Sequence, residues 1–258
     1  MVEAMKLADQ LREYNLDRRN KEQEIFNEAE SQIYETVKMA ESSSLLIYGK
    51  NWHQGVIGNV ASRIAREYNR ASIVHTIIDD YAYGSGRGSS KINLVSVLSE
   101  CSDLLTRYGG HPMAVGLSLK QENVPELKIR FENAVRKVFT PQDLIPQIDY
   151  DGEISISELT DAFYRELENL EPFGHSNAMP IYRLSNLSVP HLSNSNSQHS
   201  KGYLRDSSGR SIPFIAFNVN PSSLPPQPWD ILAIPQLNDY HGSSQPQLRL
   251  VDVKSSHI

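Results

Sequence analysis

A chain of 258 residues, 39% hydrophobic and 22% charged, is long enough for two ordinary domains with real cores and has the balance of a soluble globular protein. No apolar run approaches the roughly 20 residues that cross a bilayer, and the acidic N-terminus MVEAMKLADQ lacks the apolar core of a secretory signal, so a helical membrane protein is excluded. One cysteine, Cys101, excludes an internal disulfide and suits a reducing cytoplasm. The net charge of −6 is uneven: residues 42–140 hold 12 Lys or Arg against 8 Asp or Glu, and the segments on either side are acidic. A polyanion is expected on the basic middle.

Residues 4–40 predict one long helix. Leu7, Leu11 and Tyr14 make one apolar patch, and Ile25, Ala29, Ile33 and Val37 make another at intervals of four. Such a helix suits a bridge between two bodies; a partner helix in a dimer is the other reading. From Ser44 the period changes to strand at Leu45–Tyr48, helix at Val56–Tyr68 and strand at Ile73–Ile78. A Gly84-Ser85-Gly86-Arg87 turn, a helix over Ile92–Tyr108 and a Gly109-Gly110-His111-Pro112 turn follow. A strand at Ala114–Leu119 and a helix at Val124–Val138 complete a compact α/β domain over 42–140, closed by the linker Thr140–Asp143.

The last segment, 141–258, has a different texture. Ile148–Ile156 reads as a strand, and a helix beginning at Ser157 faces Leu159, Phe163, Leu167 and Leu170 inward before Pro172 and Gly174 stop it. Short β runs follow at 181–189, 201–206, 211–217, 230–237 and 247–253, with turns at Asp206–Gly209 and His241–Ser244. That pattern suits a small barrel. The polar run Ser193–Ser200 reads as a loop.

The two glycine-rich turns, at opposite ends of one predicted helix, bring Ser85 and Arg87 towards His111. Glycine lets backbone N–H groups approach a phosphate, and arginine supplies a bidentate fork for its oxygens. By itself the pattern reads more readily as an exposed loop. Cys101 falls among Leu94, Val97, Leu98, Leu104 and Leu105 and reads as a packed thiol. No ligand set for a metal pair is visible: Asp79-Asp80 is the one adjacent acidic pair near the site, and the eight histidines are scattered.

The segments WHQGVIGNVASRI (52–64), GSGR (84–87) and GGHPMAVGLSL (109–119) together resemble the DHH-associated domain of the RecJ family of single-strand-specific exonucleases. Leu170-Glu171-Pro172-Phe173-Gly174 with Asn177 and Pro180 resembles the approach to that family's OB-fold domain, and Leu237–Gly242 with Gln247–Asp252 its closing hairpin. The resemblance implies α/β plus all-β architecture: a connecting helix over 1–41, a DHH-associated domain over 42–140 and an OB-like barrel over 141–258. It implies the C-terminal portion of a 5′→3′ single-stranded DNA exonuclease of repair and recombination, whose metal-binding DHH phosphoesterase domain would precede residue 1. The chain alone is then expected to be inactive and to bind no cofactor, with Mn²⁺ or Mg²⁺ serving the intact family enzyme. The other reading is a nuclease-inactive module that binds single-stranded DNA or a protein partner, such as a DNA-repair protein.

Residue by residue, the resemblance gives Ser85, Gly86 and Arg87 a pocket for the 5′-terminal phosphate, with Gly109 and Gly110 beside it. His111 would face the scissile phosphate and stabilise its developing charge. Trp52 and Arg63 match a further substrate-side motif; Trp52 as a buried anchor of its turn and His53 as a helix cap are equally open. The chain departs from the family's wording at Gly88-Ser89-Ser90-Lys91, where a serine and an isoleucine are usual, and at Ser176, where glycine is usual. In the barrel, Tyr203, Phe214, Phe217 and Tyr240 with Lys201, Arg205 and Arg249 are candidates for stacking on bases.

Overall fold

The structure is a computed structural model that describes residues 2–88, 91–195, 199–240 and 243–256. The chain divides into two compact units, Met1–Pro146 and Gln147–Ile258.

The first unit opens with a 35-residue helix, α1 (Val2–Thr36). Its interval-of-four stripe is used: Ile25, Ala29 and Ile33 are buried with Phe26, whereas Leu7, Leu11 and Tyr14 are each more than half exposed. Next come β1 (Ser44–Lys50), α2 (Gln54–Tyr68), β2 (Ala71–Ile78), β3 (Tyr81–Arg87), α3 (Leu94–Ser99), β4 (Leu105–His111), β5 (Ala114–Lys120) and α4 (Val124–Arg136). The five strands form one sheet in the order β1-β2-β3-β5-β4, parallel only between β1 and β2. One face packs Leu45, Ile47 and Val74 against α1 and α2; the other packs Ile73, Val115, Leu117 and Leu119 against α3 and α4.

Three expectations change here. The predicted helix over Ile92–Tyr108 stops at Ser99, and a short 3₁₀ turn leads into β4. Pairing with β5 satisfies the backbone from Leu105 to His111, which glycines at 109 and 110 could not do well as helix. The GSGR segment is not a turn but the end of β3, hydrogen-bonded to β2 and β5 on its two sides. Its glycines make room: a Cβ on Gly84 would lie 2.6 Å from the His75 ring, and one on Gly86 would lie 2.6 Å from Val115. Likewise Gly109-Gly110-His111 ends a strand, and the chain reverses at Pro112-Met113. Of these glycines only Gly110 needs its backbone freedom, with φ of +143° and the carbonyl of Ala114 2.3 Å from where a Cβ would sit.

The second unit contains β6 (Gly152–Glu153), α5 (Asp161–Glu168), β7 (Tyr182–Ser195), β8 (His199–Arg205), β9 (Ser211–Phe217), β10 (Trp229–Tyr240) and β11 (Ser243–Ser255). Strand order is β10-β11-β9-β8-β7-β6, and pairing of β10 with β7 closes a barrel. Leu184, Leu204, Phe214, Trp229, Ile231 and Leu248 fill it. The strand expected over Ile148–Ile156 shrinks to two paired residues, because only Gly152 and Glu153 reach β7. α5 buries Tyr164 with Leu167, and Leu170, two residues past its end, is 54% exposed. The polar run expected as a loop is largely strand end, Ser193–Ser195 pairing with His199–Lys201, while Asn196–Gln198 lie outside the described residues. The turn at Asp206–Gly209 is present: the Asp206 side chain accepts from Ser208 and Arg210, and Gly209 takes φ of +86°.

Candidate nucleic-acid interface

Strand pleating sorts β3 into two sets. Ala82, Gly84 and Gly86 face the α3–α4 core, so Tyr81, Tyr83, Ser85 and Arg87 face the α2 side. The register then builds rows across β3, β5 and β4 on that side: Tyr83–Ser118–Arg107, Ser85–Gly116–Gly109 and Arg87–Ala114–His111. α2 covers the sheet as far as β3; beyond it Gly116 and Gly109 are exposed, and a Cβ on either would meet nothing within 4 Å. The result is a groove of about 740 Å³ walled by the first turns of α2 and floored by glycine.

Arg87 is the fixed cation of this groove. Its Nη1 donates to Ser85 Oγ and to the Gly86 carbonyl, both at 2.8 Å. Gly58 of α2 permits the arrangement, since a Cβ there would lie 3.0 Å from Arg87 Nη2 and 3.3 Å from Ser85 Oγ. Burial lowers the guanidinium pKa, and among the described residues no carboxylate pairs with it. A half-buried arginine so held keeps donors free for an external anion. Arg107, on the same face, also has no ion pair among the described residues, and sequence reasoning had not singled it out. The alternation Tyr81-Ala82-Tyr83-Gly84-Ser85-Gly86-Arg87 signals the β3 face, but no local pattern marks Arg107 on β4.

The other expected site residues fall into different places. His111 shares the Arg87 row but sits two strands away, about 10 Å by strand spacing, and is exposed. Sheet register, rather than a helix between two turns, puts it on the face of Arg87. Gly86 points into the core and Gly110 forms the strand end. Trp52 is 7% exposed, donates Nε1–H to Glu28 at 2.8 Å and fills the space over Gly49; it anchors its turn against α1. Arg63 also turns to α1, donating to Gln23 at 2.9 Å with its guanidinium 3.4 Å from the Phe26 ring centroid. His53 caps α2 through Nδ1, which accepts from Gly55. Ser89 and Ser90 lie outside the described residues.

On the barrel, Phe214 is core, edge-on to Trp229, whereas Tyr203 and Phe217 are each 48% exposed. Lys201 is exposed between them on β8, Arg205 donates to Ser211, and Arg249 points to Met179 sulfur at 3.9 Å. The Tyr240 side chain lies outside the described residues. Among the described residues no three His, Cys, Asp or Glu side chains gather to hold a metal, and no helix is long and apolar enough to cross a membrane.

Comparison with known proteins matches the DHHA1 domain family over residues 33–137 and the RecJ OB domain family over residues 150–252. No part of the chain matches a DHH domain. The single-stranded-DNA-specific exonuclease RecJ of Bacillus subtilis is 28% identical over 98% of this chain and 33% of its own length. RecJ of Salmonella typhimurium is 30% identical over 70% of this chain and 32% of its own length. The chain thus spans about a third of these relatives. A crystal structure of Thermus thermophilus RecJ in complex with Mg²⁺ superposes with a TM-score of 0.80 at 23% identity, over all of this chain and 39% of that one; a second, with Mn²⁺, gives 0.79.

Proposed function

The chain belongs to the RecJ family, whose DHHA1 and OB domains it carries, and from that premise we propose that it is the nucleic-acid-engaging portion of a RecJ-like 5′→3′ single-stranded DNA exonuclease. The terminal phosphate sits against Ser85 and Arg87, over the floor formed by Gly109 and Gly116. The observation that carries this reading is Arg87 itself, half-buried, steered by Ser85, and facing an open groove with no carboxylate partner among the described residues. His111, on the same face, contacts a phosphate further along the strand. The exposed Leu7, Leu11 and Tyr14 of α1 meet the DHH phosphoesterase domain of the family enzyme.

Mg²⁺ and Mn²⁺ occur in the Thermus thermophilus structures, but the described residues here offer no donor set for either. No hydrolytic step is assigned to them; they bind and orient, and the chain alone is expected not to cleave DNA.

Equilibrium titration of fluorescent single-stranded DNA, with and without a 5′ phosphate, tests the reading. Hydrogen bonds to a charged group contribute about 1.5–3 kcal/mol, so the phosphate should tighten binding roughly 10- to 100-fold. Arg87→Ala should erase that increment and leave binding of the 5′-hydroxyl strand nearly unchanged. Equal affinities for the two strands with the unaltered chain would reject end recognition.

A further inference from the structure

We propose that Tyr83 and Tyr81 form a stacking platform for the two bases nearest a phosphate held at Ser85 and Arg87. The platform rests on the reading of that cradle given above and assigns the groups that receive the nucleotides beside it.

Tyr81, Tyr83 and Ser85 occupy alternate positions of β3 and share one face, at steps of about 6.8 Å along the strand. The two rings are 39% and 37% exposed, with centroids 6.5 Å apart and planes inclined by 38°. Exposed tyrosines on a strand ordinarily lean on large cross-strand neighbours. Here the β5 partners are Lys120 and Ser118, a flexible chain and a short one, and on the β2 side Tyr83 meets only Thr76 while Tyr81 meets Ile78, so both rings keep free surface. Neither hydroxyl has a hydrogen-bond partner among the described residues. Tyr83 lines the groove that holds Arg87 and Arg107, and Tyr81 lines the adjoining groove of about 600 Å³.

Charge sets the direction and the length of the platform. Arg107, in the Tyr83 row, carries no ion pair among the described residues and stands ready for a backbone phosphate. Lys120, in the Tyr81 row, is shared with Glu122 at 3.5 Å, and Asp80 and Glu122 line the far groove with it. A polyanion is favoured beside Tyr83 and repelled beyond Tyr81, which limits the platform to two bases. Stacking tolerates any base, because every base has a π face.

The test uses the full chain and 5′-phosphorylated single strands that are either intact or abasic at the first two positions, titrated by fluorescence anisotropy. With the unaltered chain, removing the two bases should weaken binding at least 10-fold, from about 1–3 kcal/mol per stacked base. With Tyr81→Ala/Tyr83→Ala the intact and abasic strands should bind alike, while Tyr81→Phe/Tyr83→Phe should keep the discrimination, since rings and not hydroxyls are used. The 5′-phosphate increment should persist in all of these variants. A base-removal penalty equal in the unaltered chain and the double alanine variant overturns the platform, as does one lost in the phenylalanine variant. A missing phosphate increment in the unaltered chain would instead reject the cradle, a separately visible outcome.

Discussion

The sheet face of the first unit and the barrel of the second both present aromatic rings to solvent, Tyr81 and Tyr83 on one, Tyr203 and Phe217 on the other, and the barrel pair is the more exposed. Their electrostatic settings differ. On the sheet, Arg87 and Arg107 face a glycine floor with no carboxylate partners among the described residues. On the barrel, Lys201 and Arg205 beside the rings also carry no ion pair among the described residues, but Arg183 is divided between Glu153 at 2.9 Å and Asp230 at 3.2 Å, and residues 141–258 hold 13 acidic side chains against 7 basic ones, whereas residues 42–140 hold 8 against 12. The balance of charge around the rings, more than the rings themselves, marks the surface suited to a polyanion.

The strongest way to break that comparison is to unfold the barrel and ask what survives. Phe214 is 1% exposed and packs edge-on against Trp229 at 6.1 Å. Phe214→Ala should remove about 3–5 kcal/mol from the barrel, seen calorimetrically as a lowered transition of the second unit with the first unmoved. Between the two transitions, the 5′-phosphate increment should persist. If it vanishes with the barrel, recognition does not reside on the sheet.

A smaller effect comes from charging the floor. Because a Cβ on Gly116 meets nothing within 4 Å, Gly116→Glu should fold normally, yet it places a carboxylate beside Ser85. Affinity for the 5′-phosphorylated strand should fall about 10-fold, near 1.4 kcal/mol, at an unchanged melting temperature. Gly86→Ala is the structural opposite: its Cβ would lie 2.6 Å from Val115, so it should lower stability by about 1–3 kcal/mol through packing.

These two glycines also show what the sequence could and could not disclose. The elements with a clean period, the Ile25–Ala29–Ile33 stripe of α1, the Val56–Tyr68 helix and the buried Ile73–Ile78 strand, stand where the sequence puts them. β3 and β4 were illegible because glycine ordinarily signals a turn, whereas Gly84 and Gly86 are there to admit His75 and Val115 from neighbouring strands. That packing is long-range information which no local period carries. With β3 read as a turn, its pleat was invisible, and so were the shared faces of Tyr81, Tyr83 and Arg107. His53 as a cap and Trp52 as a buried anchor were among the readings the sequence offered, whereas the partners of Trp52 and Arg63 were not legible, since Glu28 and Gln23 lie 24 and 40 residues away in α1.

An effect of similar size separates the units by pH. His75 is fully buried beneath the Gly84 strand, neither ring nitrogen has a hydrogen-bond partner among the described residues, and burial pushes its pKa from 6.5 down to about 3. Between those values the unfolded chain binds a proton that the folded chain refuses, so stability of the first unit falls as pH falls, by roughly 1 kcal/mol per pH unit below 6.5. Glu132, whose burial would raise its pKa but whose bonds from Ser44, Ser43 and Arg136 lower it on balance, acts in the same direction only at lower pH, which leaves a window from about pH 6.5 to 5 for the imidazole. His75→Leu removes both unpartnered nitrogens and should be neutral or stabilising at pH 7.5. Within the window it should flatten the decline of the first transition and leave the barrel transition untouched. An acid limb unchanged by His75→Leu would mean that the imidazole finds a proton partner in the folded core after all.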